Sequence, residues 1–235
     1  RVHIPKPGQP GKTRPLGIPC VRDRVAMTAA KLVLEPVFEA DFLPVSFGFR
    51  PKRSAHQALE AIRVEANRGA EWVLDADVRD CFGSIDHDAL GAQLARRVSD
   101  RRMLKLLRGW LRVGVLEEGV TTVTGAGTPQ GSPISPLLAN VALHVLDQAW
   151  AQGGRSLGVL VRYADDFVIL CPTQQRAEQA RRLVAEGDQR IGGRLHVIVT
   201  IRDVVFSSVL LPILPAILQS ETFYISPNTG PKDYA

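Results

Sequence analysis

The sequence contains few cysteines and lacks a long uninterrupted apolar run. Its three cysteines, Cys20, Cys81 and Cys171, lie far apart and form no CxxC pair. An odd, scattered set argues against a disulfide framework or a zinc ribbon and suits a reducing compartment. The longest apolar stretch, residues 204–218, is short for a bilayer and contains two prolines. We therefore expect no membrane partner and a cytoplasmic location.

A secretion signal and a strong excess of one charge are also missing. The first 19 residues are basic and turn-rich, without the apolar segment of a signal peptide. No Met stands first, so we expect the natural start to lie upstream. Lys and Arg total 29 against 24 Asp and Glu, and the pI is about 9.4. This modest basic excess fits a nucleic-acid partner without establishing one.

The pattern of apolar residues predicts an α+β fold. The 235 residues are 45% hydrophobic, which is ample for a buried core. Helical spacing runs over residues 23–40, 54–67, 86–98, 99–114, 133–150 and 173–187. We expect Ser54, Asp86 and Ser99 to cap three of these helices. Strands are predicted at residues 71–78 and on both sides of a turn within 159–171, and a short hairpin within 115–131. Strands separated by helices indicate α+β architecture.

Two adjacent carboxylates, Asp165 and Asp166, interrupt the apolar stretch RYADDFVIL. Both cannot be buried as ions unless a cation neutralises them, and Asp oxygens suit Mg²⁺. A third carboxylate from another strand would complete a cluster that holds two metals about 4 Å apart. The strand WVLDADV supplies Asp75 and Asp77 on one face, so alternation alone does not choose between them. An exposed turn is the alternative, since Asp is common in turns, but the flanking Val, Leu and Ile favour burial.

Five segments, in order, resemble the group II intron reverse transcriptase/maturase family. They are IPKPGQPGKTRPLGIP with LEPVFE, SFGFRPKRSAHQAL, WVLDADVRDCFGSIDHDAL, GTPQGSPISPLLANVAL and RYADDFVIL. YADD alone is a weak signal, whereas five ordered blocks are specific. The resemblance implies an RNA-directed DNA polymerase with a right-hand palm and partial fingers, in which a small antiparallel sheet is backed by helices. It implies a fingers-like segment over 1–70 and a palm over 71–191.

The resemblance also implies which residues carry the chemistry. The metal ligands would be Asp77, Asp165 and Asp166, assisted by the Val78 carbonyl, and the cofactor would be two Mg²⁺ ions, with Mn²⁺ as a substitute. Phe82, five residues after Asp77, stands at the position of the aromatic steric gate that excludes a ribose 2′-OH. The family pattern thus selects Asp77 where strand alternation does not.

The substrates would be an intron RNA template, a DNA primer and dNTPs, and the location would be a bacterial-type cytoplasm, in association with the nucleoid or with RNA. The residues implied to contact them lie in loops: Lys6 and Arg14 for the triphosphate, Gln130 and Gly131 for nucleotide and template, and Arg50, Lys52 and Arg53 for the template path. Basic side chains neutralise phosphate oxygens, glycine permits close backbone approach, and Gln both donates and accepts hydrogen bonds. The alternative for the basic residues is a solvated loop.

The family pattern fails after the helix that follows YADD. A Leu-rich strand, a Lys-Thr or Lys-Ser pair and a primer-grip turn are expected there, but no matching Lys follows Leu195 and His196. We therefore expect a divergent or frameshifted tail over 192–235, a truncated polymerase and impaired activity. A lineage with its own tail is the competing explanation.

The alternative function is a non-catalytic RNA-binding maturase remnant that assists splicing. The presence of all three carboxylates argues against it. A generic Mg²⁺-dependent nuclease lacks support, because no segment supplies a recognisable water-activating base.

Overall fold

The computed structural model describes residues 2–5, 11, 13–79, 81–112, 115–117, 120–122, 127, 131–190 and 196–203. These residues form both helices and strands, as the sequence predicts. In chain order they are β1 (Val2–Pro5), β2 (Thr13–Leu16), α1 (Val21–Glu39), α2 (Ala55–Asn67), β3 (Trp72–Arg79), α3 (Cys81–Ser84), α4 (His87–Ala95), α5 (Arg101–Arg112), β4 (Val115–Glu117), β5 (Val120–Thr122), α6 (Ser135–Gly153), β6 (Val159–Tyr163), β7 (Asp166–Cys171), α7 (Gln174–Arg190) and β8 (His196–Asp203).

A four-stranded antiparallel sheet in the order β6-β7-β3-β8 organises the chain. The pairs β1–β2 and β4–β5 form two separate small hairpins. Among the strands that pair in the large sheet, only β6 and β7 follow one another along the chain, joined by a two-residue turn, while α7 lies between β7 and β8 in the chain. This arrangement confirms the predicted α+β fold, with a small antiparallel sheet backed by helices.

Side-chain oxygens begin three of the helices. The Ser54 hydroxyl accepts a hydrogen bond from the Gln57 amide while the Gln57 side chain accepts one from the Ser54 amide, which is a capping box. Asp86 accepts from two amides of the first turn of α4. Both caps were predicted. The prediction of Ser99 for α5 is wrong, because the next residue, Asp100, accepts from the amides of Arg102 and Met103.

Alternation along the strands divides the core between the two faces of the sheet. On β3, Leu74, Ala76 and Val78 point into a larger core that α1 and α4–α7 cover. Val73 points to the other face, where a smaller core packs against α2. Strands β6 and β7 are covered on both faces over most of their length. Their sequences are therefore mostly apolar instead of alternating between apolar and polar residues.

Strand β8 lies within the segment 192–235, for which the sequence predicts a divergent tail. It pairs with all of β3, from Trp72 opposite Asp203 to Arg79 opposite His196. Val199 and Ile201 pack against the larger core. The part of the tail after residue 203 lies outside the described residues, and the boundary at 192 remains a prediction.

A buried ion pair joins α6 to β6. Arg162 donates to both carboxylate oxygens of Asp147, at 2.8 Å from Nε and 2.6 Å from Nη2, and both side chains are fully buried. Burial alone would raise the pKa of Asp147, but the Arg162 guanidinium and the neighbouring His144 together outweigh this effect and hold that pKa below its usual range. The carboxylate therefore stays ionised, and the pair acts as a fixed charged contact inside an apolar layer.

None of the helices in the described ranges is both long and apolar enough to cross a membrane.

The three cysteines are expected to differ sharply in reactivity. Cys20 is exposed, whereas Cys81 and Cys171 are buried, and burial raises the pKa of Cys171 to about 11. Since the thiolate is the reactive form, iodoacetamide at pH 8 should modify Cys20 alone under native conditions and all three residues in denaturant. Peptide mass spectrometry measures this, and equal native labelling of Cys171 would contradict the buried position of β7.

Replacing Arg162 by Met should destabilise the fold by about 3–5 kcal/mol, because it leaves the Asp147 carboxylate buried without its partner. Urea unfolding followed by circular dichroism measures the loss. The double variant Arg162→Met/Asp147→Leu should recover much of it, since neither charge is then buried.

Arg181→Met is the matched control for this prediction. Arg181 forms a half-exposed pair with Glu178, and its loss should cost at most about 1 kcal/mol. If Arg162→Met and Arg181→Met lower the free energy of unfolding equally, the buried pair does not stabilise the fold more than an exposed pair does.

Candidate active site

The backbone register of two neighbouring strands brings two of the predicted carboxylates together. Asp77, near the end of β3, lies directly opposite Asp166, the first residue of β7. Directly opposed residues of an antiparallel pair project to the same face, with Cβ atoms about 4.5–5.5 Å apart. Asp75 shares this face but lies opposite Val168, farther from the turn. Register therefore separates the two aspartates that alternation left equivalent.

The third carboxylate, Asp165, occupies the two-residue turn between β6 and β7. Its neighbour Ala164 has φ = +57°, an unusual conformation for a residue with a side chain. Tight two-residue hairpin loops require such left-handed conformations. The turn places Asp165 immediately before Asp166, so all three carboxylates lie at one end of the sheet. Asp165 and Asp166 are half-buried and Asp77 is exposed.

Besides its ion pair with Asp147, Arg162 forms a hydrogen bond with this turn. Its Nη1 donates to the Ala164 carbonyl at 2.8 Å and to the Asn140 side-chain oxygen at 3.0 Å. The Asn140 amide in turn donates to the Gly48 carbonyl at 2.9 Å. One buried side chain thus connects the strained turn to α6 and, through Asn140, to the loop between α1 and α2.

That loop lies directly against the turn. A Cβ atom on Gly48 would come within 2.3 Å of the Ala164 amide nitrogen, so any larger residue would displace one of the two backbones. On either side, the Phe47 amide donates to the Arg162 carbonyl and the Arg162 amide donates to the Val45 carbonyl. The glycine of SFGFRP is therefore required by its packing against the carboxylate turn.

Carboxylate oxygens are the hard donors that Mg²⁺ prefers, and their placement at one end of the sheet suits it. Among the described residues, however, no group of three His, Cys, Asp or Glu side chains is gathered closely enough to hold a metal ion. Asp77, Asp165 and Asp166 have the donor atoms that a divalent cation prefers, and their backbones lie at the same end of the sheet. Their side chains are not close enough together to surround an ion. Val78, the fourth predicted ligand, directs its side chain into the larger core.

Phe82 follows β3 on the short helix α3. Its half-buried ring packs against the larger core and meets Phe49 edge to face, with the ring centroids 6.5 Å apart. Phe82 thus follows the strand that carries Asp77, and its ring is held in place by packing. Its role as steric gate remains a prediction.

Gly131 has φ = +99°, and a Cβ atom there would lie 2.7 Å from the Gly17 carbonyl oxygen. This contact between the segment before α6 and the residue after β2 requires glycine independently of any substrate. The close backbone approach inferred from the sequence therefore occurs within the protein, and contact with a substrate remains a prediction.

The three basic residues of the loop before α2 differ from one another. Arg50 is only 8% exposed and donates to the Glu39 carboxylate and to the carbonyls of Leu43 and Ser46. All of these partners lie within the protein, which argues against a contact between Arg50 and the template, and that role remains a prediction.

Lys52 is exposed, with φ = +61°, and the Arg53 guanidinium lies 5.3 Å from the centroid of the Phe47 ring. Both therefore remain candidates for nucleic-acid contact.

The predicted triphosphate and template contacts lie only partly within the described residues. Lys6 and Gln130 are outside them. The backbone of Arg14 lies in β2, opposite Ile4, and the position of its side chain is likewise outside the description. Their roles remain predictions.

Sequence reasoning missed the residues that support the turn, namely Arg162, Asp147, Asn140 and Gly48. The signal was present for two of them, because Arg162 is a lone charge in an apolar strand and Asp147 a lone charge in an apolar helix. Because a buried charge requires a partner of opposite charge, each of these residues predicts the other.

Comparison with known proteins agrees with this geometry. A family model described as "Reverse transcriptase (RNA-dependent DNA polymerase)" matches residues 4–196. Protein YkfC of Escherichia coli K12 is 35% identical over 81% of this chain and 60% of its own length. The group II intron-encoded protein LtrA of Lactococcus lactis is 42% identical over 63% of this chain and 24% of its own length. The chain thus spans less than two thirds of either relative.

Solved structures match the fold. Telomerase from Candida tropicalis, in complex with a fragment of telomeric RNA, aligns with a TM-score of 0.51 over 79% of this chain and 34% of its own, at 10% identity. Such low identity supports the polymerase fold and nothing finer. The match over residues 4–196 leads to one conclusion: the chain belongs to the reverse transcriptase (RNA-dependent DNA polymerase) family, among relatives that include group II intron-encoded proteins.

Proposed function

We propose that this chain carries the nucleotidyl-transfer centre of a group II intron-type reverse transcriptase, which extends a DNA primer along an RNA template with dNTPs. The observation that carries the proposal is the direct register of Asp77 and Asp166, with Asp165 in the adjoining turn. Family membership supports the polymerase reaction, and the register supports its location at this end of the sheet.

In this reaction the primer 3′-oxygen attacks the α-phosphorus of the dNTP, a new P–O bond forms, and the bond to pyrophosphate breaks. Asp77, Asp165 and Asp166 would hold two divalent cations. When bound, such cations acidify the primer hydroxyl and offset negative charge on the leaving pyrophosphate.

The protein's own contribution is rigid placement. Asp77 and Asp166 project from paired strands, and Arg162 and Gly48 restrain the turn that holds Asp165. A displacement of about 1 Å at such a centre can lower the rate on the order of a hundredfold, so this restraint bears directly on catalysis. Phe82 would border the sugar of the incoming nucleotide, and Lys6 and Arg14 would neutralise its triphosphate.

Replacement of either paired aspartate by Asn should abolish primer extension. Asp77→Asn and Asp166→Asn keep the size of the side chain and remove a charged ligand, so we expect a loss of about a hundredfold or more in rate. Extension of a DNA primer on an RNA template, with the longest natural form of the protein, measures this.

Asp75→Asn is the matched control for these variants. It removes the same charge from the same strand face, two residues earlier, and should leave extension within a few-fold of the unaltered protein. If Asp75→Asn abolishes extension while Asp77→Asn does not, the ligand assignment is wrong. If every Asn variant extends primers normally, these aspartates do not hold the catalytic cations. If the unaltered protein itself extends no primer, the proposed function is wrong, and a non-catalytic RNA-binding maturase takes its place.

Phe82→Val should relax discrimination between dNTPs and rNTPs, because the shorter side chain opens space beside the 2′ position. We expect the ratio of rNTP to dNTP incorporation to rise roughly tenfold or more. Phe38→Val, which shortens a buried core aromatic of α1, should lower stability without changing that ratio. An equal ratio in both variants would make Phe82 a packing residue only.

A further inference from the structure

Helix α5 presents an unusual concentration of positive charge. Its 12 residues, RRMLKLLRGWLR, include five basic side chains and no acidic one. Four of them, Arg101, Lys105, Arg108 and Arg112, recur at intervals of four, three and four residues. This spacing places them on one face of the helix over about 16 Å. All four are exposed. We call Arg101, Lys105, Arg108 and Arg112 the basic stripe.

The charge of the basic stripe is not offset by the protein. Within the part of the chain that the structure describes, no carboxylate lies within ion-pair distance of these four side chains, whereas Arg63 on α2 and Arg181 on α7 pair with Glu60 and Glu178. An uncompensated row of cations on a rigid helix attracts polyanions and releases their counterions on binding. The arrangement therefore favours a partner that carries regularly spaced negative charge.

The apolar face of α5 is already occupied. Leu107, Trp110 and Leu111 are buried in the larger core. A basic amphipathic helix binds a membrane surface by burying its apolar face among the lipids, and this face is not available for that. Of the large apolar side chains of α5 only Leu106 is exposed, and one exposed Leu is too little apolar surface to anchor the helix in lipid, which favours a phosphate backbone over a lipid bilayer.

The basic stripe is separate from the carboxylate site. Helix α5 packs on α4, which packs on α6, and these helices cover the face of the sheet that carries Leu74 and Ala76. Asp77 and Asp166 project from the opposite face, to which Val73 belongs. A ligand on the stripe therefore lies behind the sheet and does not occupy the path of primer and nucleotide.

We propose that the basic stripe is a second RNA-binding surface, which holds the phosphate backbone of an RNA segment away from the carboxylate site. Guanidinium groups form bidentate hydrogen bonds with phosphate oxygens, and three of the four residues are arginines. The choice of RNA as the polyanion rests on the proposed function. The surface itself rests on charge, spacing and position.

The test removes the four charges and keeps the helix. Because glutamine has a helix propensity close to that of Arg and Lys, the variant Arg101→Gln/Lys105→Gln/Arg108→Gln/Arg112→Gln should fold normally. The matched control removes four exposed charges from α2 and α7 in the variant Arg63→Gln/Arg176→Gln/Arg181→Gln/Arg182→Gln. Circular dichroism and thermal unfolding check that both are folded.

RNA affinity as a function of salt is the readout. At about 0.1 M salt the stripe variant should bind a structured RNA roughly tenfold or more weakly, and the slope of log affinity against log salt should fall by about 3, as expected for four lost phosphate contacts. The control variant, with the same net charge, should change by less than half as much. Equal effects in the two variants would overturn the proposal, and so would tighter binding of the stripe to an acidic peptide than to RNA.

Two further measurements separate this proposal from the proposed function. On a short primer-template, the stripe variant should extend as the unaltered protein does, while Asp166→Asn should lose extension and keep its RNA affinity. If Asp166→Asn still extends, the proposed function fails and the stripe is judged by RNA affinity alone. In the unaltered protein, RNA should shield Lys105 from acetylation more than Lys31, which pairs with Glu35. Failure to shield Lys105 would count against the stripe even if the four-site variant did not fold.

Discussion

The fold and the site both depend on one buried contact, the ion pair of Arg162 and Asp147. Two charges without solvent are tolerated only because each oxygen of the carboxylate meets a guanidinium N–H and the remaining donors reach Asn140 and Ala164. The same side chain therefore fixes α6 against the sheet and holds the turn that carries Asp165. An apolar pair could pack as well, but it would supply no donor for the carbonyl of the left-handed Ala164.

The two faces of the sheet differ in what they carry: one packs into the larger core, and the other carries the predicted catalytic carboxylates. Along β3, Leu74, Ala76 and Val78 enter the larger core, while the alternate residues run from buried Val73 through half-buried Asp75 to exposed Asp77. Burial thus decreases toward the carboxylate end of a single strand face. Charges that would be costly in the middle of the sheet are placed where the smaller core ends and the strand face becomes exposed.

Much of this could be predicted from the sequence, because periodicity and capping are local signals. The α+β class, the Ser54 cap and the strands around YADD needed only neighbouring residues. Arg50 shows the limit: beside Lys52 and Arg53 it reads as a loop cation, yet Glu39 and two loop carbonyls enclose it. Likewise, Asp77 opposite Asp166 is a matter of register between strands far apart in the chain. Tertiary pairing decides such features, and no local pattern contains it.

Strand β8 lies in the segment where the family pattern fails, and its position also depends on pairing between distant strands. Backbone pairing requires little more than alternation, and residues 196–203 supply it, with Val199 opposite Ala76 and Ile201 opposite Leu74 on the side of the larger core. The result is that β3 is paired on both edges, by β7 and by β8, from Trp72 to Asp77. An edge strand could bend or slip in register, whereas a strand held on both sides cannot do so without breaking two ladders. The position of Asp77 opposite Asp166 therefore depends on a strand that contributes no predicted catalytic residue.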